Sequence, residues 1–221
     1  RENAPVNRYY EITVIKRCIF CFYKERKKMK FLSMNEFSAL SDTDKLFNLI
    51  EFGYKEENGK IDGIVHSIAH ANTEDLHNDF IYTSKNGYLH AMETSAYSLL
   101  LATRTAKEID MLNEHSSIVT LTYHGSTKVI NGYNVMATKA ALEANVRYLA
   151  ENLGKEKMRV NAISAGPIKT LSAKGIKDFS SMLTIVEEKA PLHKNVTTKQ
   201  VGNVATFLLS DMSDAITGQV I

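Results

Sequence analysis

The sequence predicts an α/β fold, a three-layer doubly wound parallel sheet, on three observations. From Ile61 onward, short β-branched runs alternate with helical patterns in the order β, α, β, α, β, an alternation that builds parallel sheets with right-handed crossovers. The stretch from Ser117 to Thr170 is one complete crossover unit. It holds an apolar strand (Ser117 to Thr122), a polar loop, an Ala/Leu-patterned helix entered at Lys139, a second strand (Met158 to Ser164) and a loop with Gly166 and Pro167. The chain of 221 residues, 44% hydrophobic and 24% charged, can bury one sizeable core without a disulfide or metal. Residues 1–221 are therefore expected to form a single domain. Ligands in open α/β sheets sit at strand C-terminal ends, so the chemistry is expected in the unit from Ser117 to Thr170.

Composition narrows the function classes. A net charge of +2 gives no strong field for nucleic acid. No apolar run of about 18 residues and no signal-peptide pattern is present, so the chain is expected to be soluble and intracellular, without a membrane span. Cys18 and Cys21 form a lone CxxC with no second pair and no nearby histidine pair. They read as two reduced cysteines on a strand rather than a redox pair or half a zinc site.

In chain order, residues 1–40 form a divergent N-terminal segment. Tyr9 to Tyr23 is rich in β-branched and aromatic residues, which predicts one buried strand or two short ones. Lys24 to Lys30 reads as a solvated turn or helix start. No glycine precedes Gly53, so the strand, Gly-rich turn and helix that bring backbone N–H groups to a pyrophosphate have no counterpart here. Ser41 to Glu57 is predicted as a helix, with Ser41 as N-cap and an apolar stripe through Leu46, Phe47, Leu49, Ile50 and Tyr54. Gly59 ends it, and a short strand is predicted over Ile64 to Ile68. The small residues Ser67, Ala69 and Ala71 follow, as close approach of a ligand or a tight helix-to-strand contact requires. Asn72 to Gly87 is a polar excursion, and Tyr88 to Ile109 has helical spacing. His77, His90 and His115 have no partners at metal-ligand spacing, so all three read as surface or capped histidines, and no metal is expected.

A tyrosine beside a lysine at a helix entrance can act as a proton donor, because the ammonium favours the phenolate. Tyr123, Tyr133 and Lys139 are the candidates. The series becomes specific when read whole: His66-Ser67-Ile68-Ala69, Tyr97-Ser98-Leu99, Tyr123, Tyr133-Asn134-Val135-Met136, the run Lys139 to Leu149, Arg159 to Ile168, Ala190-Pro191-Leu192 and Val201-Gly202-Asn203. From Ser41 to Ile221 it closely resembles the NADH-dependent enoyl-acyl carrier protein reductases of type II fatty acid synthesis, a branch of the short-chain dehydrogenase/reductase superfamily.

The resemblance implies a Rossmann-like fold with an atypical nucleotide-binding half. It implies reduction of the trans-2 double bond of an enoyl thioester, borne by acyl carrier protein, with hydride from NADH. Tyr133 looks like the catalytic tyrosine that stabilises the enolate, and Lys139 like the lysine that holds the nicotinamide ribose. Tyr123 matches a residue lining the acyl pocket, counted with the catalytic set. Ser67, Ile68, Ala69, Leu121 and Thr122 match cofactor-contacting positions, as do Ala165, Gly166, Pro167, Ile168 and Thr170. Residues 171–195 resemble a segment that covers the substrate, with Met136, Phe179 and Met182 beside Tyr123 and Tyr133 at the acyl chain. A homotetramer in the bacterial cytoplasm is implied, with a plastid as the alternative.

Three departures from the family pattern stand beside this. The Gly-rich opening is missing, and the Asp-Val pair beside the adenine is only approximated by Glu36-Phe37. Tyr133 to Lys139 is six residues where the family has seven. At roughly 100° per residue, i+7 returns within about 20° of the starting face and i+6 lies about 120° away. Either the loop entering the helix absorbs the difference or the helix turns. The final strand is expected to stop short at Ile221. Two readings therefore remain: an active reductase, or a non-catalytic family member acting as an oligomeric binding module. A carbonyl reductase with Tyr-x3-Lys is disfavoured, since Ala137 stands at that spacing after Tyr133.

Overall fold

The computed structural model describes residues 60–130, 134, 137–170, 173, 176 and 178–221, and the backbone of 11–15 and 18–22. The helix expected over Ser41 to Glu57, the basic run from Lys24, the pair Glu36-Phe37, and Tyr133 and Met136 lie outside the described residues. So do parts of the expected covering segment.

Five strands form one sheet in the spatial order β1-β2-β3-β4-β5. β1 (Glu11–Ile15) and β2 (Cys18–Phe22) are the two short strands that the β-branched N-terminal run allowed, and both cysteines fall in β2. They pair antiparallel, Ile15 against Cys18. β2 then runs parallel to β3 (Ile61–His66). β3 runs parallel to β4 (Leu112–Thr122), and β4 to β5 (Arg159–Ser164). The sheet is parallel with one antiparallel edge strand, a common variant of the open α/β sheet.

Helices cover both faces. Between β3 and β4 come α1 (Thr73–His77), a 3-10 turn (Phe80–Tyr82), α2 (Lys85–Met92), a π-helical turn (Glu93–Tyr97) and α3 (Ser98–Glu108). α4 (Ala137–Gly154) joins β4 to β5. α5 (Phe179–Lys189) and α6 (Thr198–Leu209) follow β5, and a 3-10 turn (Asp211–Ser213) follows them. Successive strand residues point to opposite faces. Ile118 and Val160 thus pack under Leu99 and Ala102 of α3 and Leu142 and Val146 of α4, whereas Val119 and Ile163 pack under Ala205 and Leu208 of α6. That division makes the three layers and confirms the α/β, Rossmann-like expectation.

Three elements differ in extent from the sequence reading. β3 starts at Ile61 and ends at His66, so Ser67 and Ile68 lie beyond the strand, at its open end. β4 starts at Leu112, five residues before the apolar run, because Ile61 pairs with Leu112 before the register shifts. The helix expected over Tyr88 to Ile109 is two α-helices around a π turn.

The end of the chain is held by β5. Arg159 donates from Nη1 to the carbonyl of Leu208 (2.8 Å) and to Ser213 Oγ (2.6 Å), and from Nη2 to the carbonyl of Ser210 (3.1 Å). A cation thereby closes the C-terminus of α6, where carbonyls lack helical partners. Burial lowers the Arg159 pKa, against Asp211 and Asp214, which raise it. Asn161 donates to the carbonyl of Ile216 and accepts from the Gln219 amide. Residues 218–221 then run alongside β5, with a parallel bridge between Ala162 and Val220. Gly218 enters that segment at φ 71°, a conformation in which a Cβ would be strained.

Candidate active site

The register of the parallel strands decides which residues share an edge. His66 faces Thr120 across β3 and β4, and Thr122 faces Ser164 across β4 and β5. Ser67 to Ala69, Leu121 to Tyr123, and the loop from Ala165 therefore emerge at the same end of the sheet. α4 starts from that end and carries Lys139 in its first turn.

Lys139 is 7% exposed, and its Nζ donates to the carbonyl of Leu121 at 2.9 Å. Burial lowers its pKa to about 8, against Glu143, which raises it. Glu143, one turn further along α4 and also buried, accepts from Thr122 Oγ1 at 2.6 Å. Two consecutive β4 residues thus hold an ammonium by a carbonyl and a carboxylate by a hydroxyl.

On the other side lies His66, fully enclosed. Its Nε2 is 2.8 Å from Ser98 Oγ and its Nδ1 is 2.8 Å from Thr120 Oγ1. Both hydroxyls also donate to main-chain carbonyls, Ser98 Oγ to that of Thr94 at 2.6 Å and Thr120 Oγ1 to that of His66 at 3.2 Å, so the imidazole sits in a closed hydrogen-bonded cluster. The ring is neutral: burial, and then the nearby Lys139 charge, lower its pKa to about 3. The π turn serves this arrangement. It sits immediately before Ser98, and Asn145 of α4 donates to its Ala96 carbonyl at 3.2 Å, while Ser95 bonds the backbone of His70. π turns leave main-chain carbonyls in need of such partners.

The remaining expected residues take these places. Ser67 and Ala69 are exposed just beyond β3, and Ile68 is half-buried against the core beneath α3 and α4. Leu121 packs toward α6, and Thr122 is buried. Tyr123 is half-buried at the end of β4, and burial raises the pKa of its phenol. Ala165 packs toward α6, Pro167 is buried, and Gly166 and Ile168 are half-buried. A Cβ at Gly166 would meet only Val196, at an ordinary 3.4 Å, so packing does not demand this glycine. Thr170 is exposed, and its Oγ1 accepts from the Ala173 amide at 3.2 Å. Phe179 and Met182 sit half-buried in the first turn of α5, with Leu183 buried beside them, rather than on the strand ends themselves.

The sequence reading assigned no role to His66, Ser98, Thr120 or Glu143. Only Glu143 left a local signal, the i, i+4 spacing from Lys139 on one helix face. The histidine expectation is borne out for His77 and His115, which are exposed, whereas His90 lies within 3.0 Å of His70. Among the described residues no group of three or more His, Cys, Asp or Glu could hold a metal.

An ammonium has three N–H bonds; Lys139 uses one on Leu121, and the others are of the kind that a ligand's hydroxyl groups accept. A family model described as Enoyl-(Acyl carrier protein) reductase matches residues 40–221. The enoyl-acyl-carrier-protein reductase (NADH) FabI of Bacillus subtilis is 52% identical over 166 residues, 75% of this chain and 64% of that protein. The chain thus spans just under two thirds of that relative's length. The corresponding NADPH enzyme of Staphylococcus aureus is 42% identical over 215 residues, 92% of this chain and 82% of its own. The solved Bacillus cereus enoyl-acyl carrier protein reductase, with NADP+ and indole naphthyridinone, superposes with a TM-score of 0.76 at 48% identity over 81% of this chain and 69% of that one.

Proposed function

Since the chain belongs to the enoyl-(acyl carrier protein) reductase family, we propose that it reduces the trans-2 double bond of enoyl thioesters carried by acyl carrier protein. The observation that carries this reading is Lys139, a buried ammonium at the open end of a parallel sheet. Burying an ammonium in such a place is costly even with Glu143 and the Leu121 carbonyl beside it, and perturbed, enclosed charges of this kind cluster at ligand sites.

When bound, NADH supplies the hydride. Lys139 takes the ribose hydroxyls, and Ser67, Ile68, Ala69, Leu121 and Thr122 line the cofactor's path with Ala165 to Ile168 and Thr170. Tyr133 donates to the thioester carbonyl and stabilises the enolate, with Tyr123 beside the acyl chain. Tyr123 keeps its proton across the working pH range, since its pKa is raised, and so serves as a hydrogen-bond donor. Met136, Phe179 and Met182 supply apolar contact, and residues 171–195 exclude water from the substrate. Residues 1–221 act as one Rossmann-like domain, with 1–40 as its divergent part, in a cytoplasmic homotetramer. Among the described residues no helix is long and apolar enough to cross a membrane.

The test is calorimetric titration with NADH, and separately NADPH, followed by loss of nicotinamide absorbance with a crotonyl thioester. Binding and turnover are expected with NADH. Neither heat nor turnover at saturating cofactor would overturn the catalytic reading and leave the binding-module alternative.

A further inference from the structure

We propose that Glu143 is a positioning residue for this reaction, which holds the charge on the Lys139 ammonium from one helical turn away and is itself anchored by Thr122. The inference rests on the reading that Lys139 holds the cofactor.

Lys139 and Glu143 are four residues apart on α4, so their side chains leave one face of the helix. Both are buried, at 7% and 8% exposure. Both are gripped by adjacent residues of β4, Lys139 through the Leu121 carbonyl and Glu143 through Thr122 Oγ1. A carboxylate enclosed in this way is costly unless an opposite charge and a donor stabilise it, and this site provides both.

The ionisable groups on the surrounding elements do not substitute for it. His66 on β3 is neutral, and Tyr123 after β4 keeps its proton. Arg159 lies at the opposite end of β5, against the end of α6. Glu93 of the π turn and His124 of the 3-10 turn after β4 (His124–Ser126) are exposed. Among the described residues of these elements, Glu143 is the buried anion. Burial pulls the Lys139 pKa down to about 8, and Glu143 opposes that fall. Without the carboxylate, the lysine would lose its proton nearer neutral pH.

Glu143→Gln preserves size and an acceptor for Thr122 while removing the charge. Two quantities are read in the full chain. One is the Lys139 titration by 13C NMR of the lysine ε-carbons, assigned with Lys139→Arg; the other is kcat/KM for NADH against pH with a crotonyl thioester. Both the titration and the alkaline limb are expected to move to lower pH by roughly one unit, with the thermal midpoint within a few degrees of the parent. A rate lower by one factor at every pH, with the Lys139 titration unmoved, would overturn the proposal and leave Glu143 a purely structural residue. If Glu143→Gln does not fold, Thr122→Val is read in the same way. It should move the titration in the same direction, and Thr122→Ser should restore it. A parent chain without turnover would defeat the reductase reading, while the NMR titration would still decide the role of Glu143.

Discussion

Lys139 carries a cost beside the role proposed for it. Its pKa is about 8 against an ordinary 10.5. Between those values the unfolded chain binds the extra proton, so stability rises with pH through that window, and below it the buried charge is fully unfavourable. A difference of that size corresponds to roughly 3 kcal/mol, offset in part by the Leu121 hydrogen bond, worth about 1 kcal/mol. Lys139→Met keeps the apolar stem and removes the charge. It is expected to raise unfolding free energy at pH 7 by about 1–2 kcal/mol, to lose that advantage toward pH 10.5, and to abolish cofactor binding. Urea unfolding at the two pH values together with calorimetry checks this; a less stable variant at pH 7 would show that charge burial is not the cost.

The segment between β3 and β4 shows how one residue sets an element's shape. Asp75 is buried and accepts from the Ser84 amide at 2.8 Å and from Ser84 Oγ at 3.1 Å. Ser84 in turn caps α2 by accepting from the Gly87 amide at 3.0 Å. A Cβ at Gly87 would fall 1.8 Å from Asp75 Oδ2 and 2.7 Å from Ser84 Oγ, so this glycine is needed for lack of space rather than for its φ. Gly87→Ala should therefore destabilise by about 2 kcal/mol, despite the better helix propensity of alanine, because the cap and the carboxylate contacts are lost together. Thermal unfolding measures it. The cost should shrink in an Asp75→Ala background, and an unchanged cost there would sink the explanation.

Across the whole molecule, His66 ties β3 to β4 and α3 through Thr120 and Ser98. Its folded pKa of about 3 lies below the ordinary 6.5. Stability from the neutral ring is therefore fully present above pH 6.5 and is lost as pH falls toward 3. By pH 5 the loss amounts to about 2 kcal/mol. His66→Asn, which does not titrate there, should show a correspondingly smaller drop between pH 7.5 and pH 5 in urea unfolding. An equal drop in both proteins would place the acid sensitivity elsewhere.

Much of this molecule follows from local pattern. The period-2 and period-3.6 spacings gave strands ending near Thr122 and Ser164 and the helix carrying Lys139, since which face of an element is apolar depends only on near neighbours. The i, i+4 pair of Lys139 and Glu143 was equally readable, although the spacing says nothing about burial. The six-residue step from Tyr133 to Lys139 raised a question of helical phase; the described helix starts at Ala137 and seats Lys139 on the Leu121 carbonyl, while Tyr133 lies outside the described residues. The partners of His66 were not legible, because Ser98 and Thr120 stand 32 and 54 residues away and meet it only once strand register and a π turn are set. Sequence pattern thus determined the elements and the sheet edge that gathers the candidate residues. Folding decided which polar groups are buried together there, because burial and charge neighbours are properties of packing between distant segments.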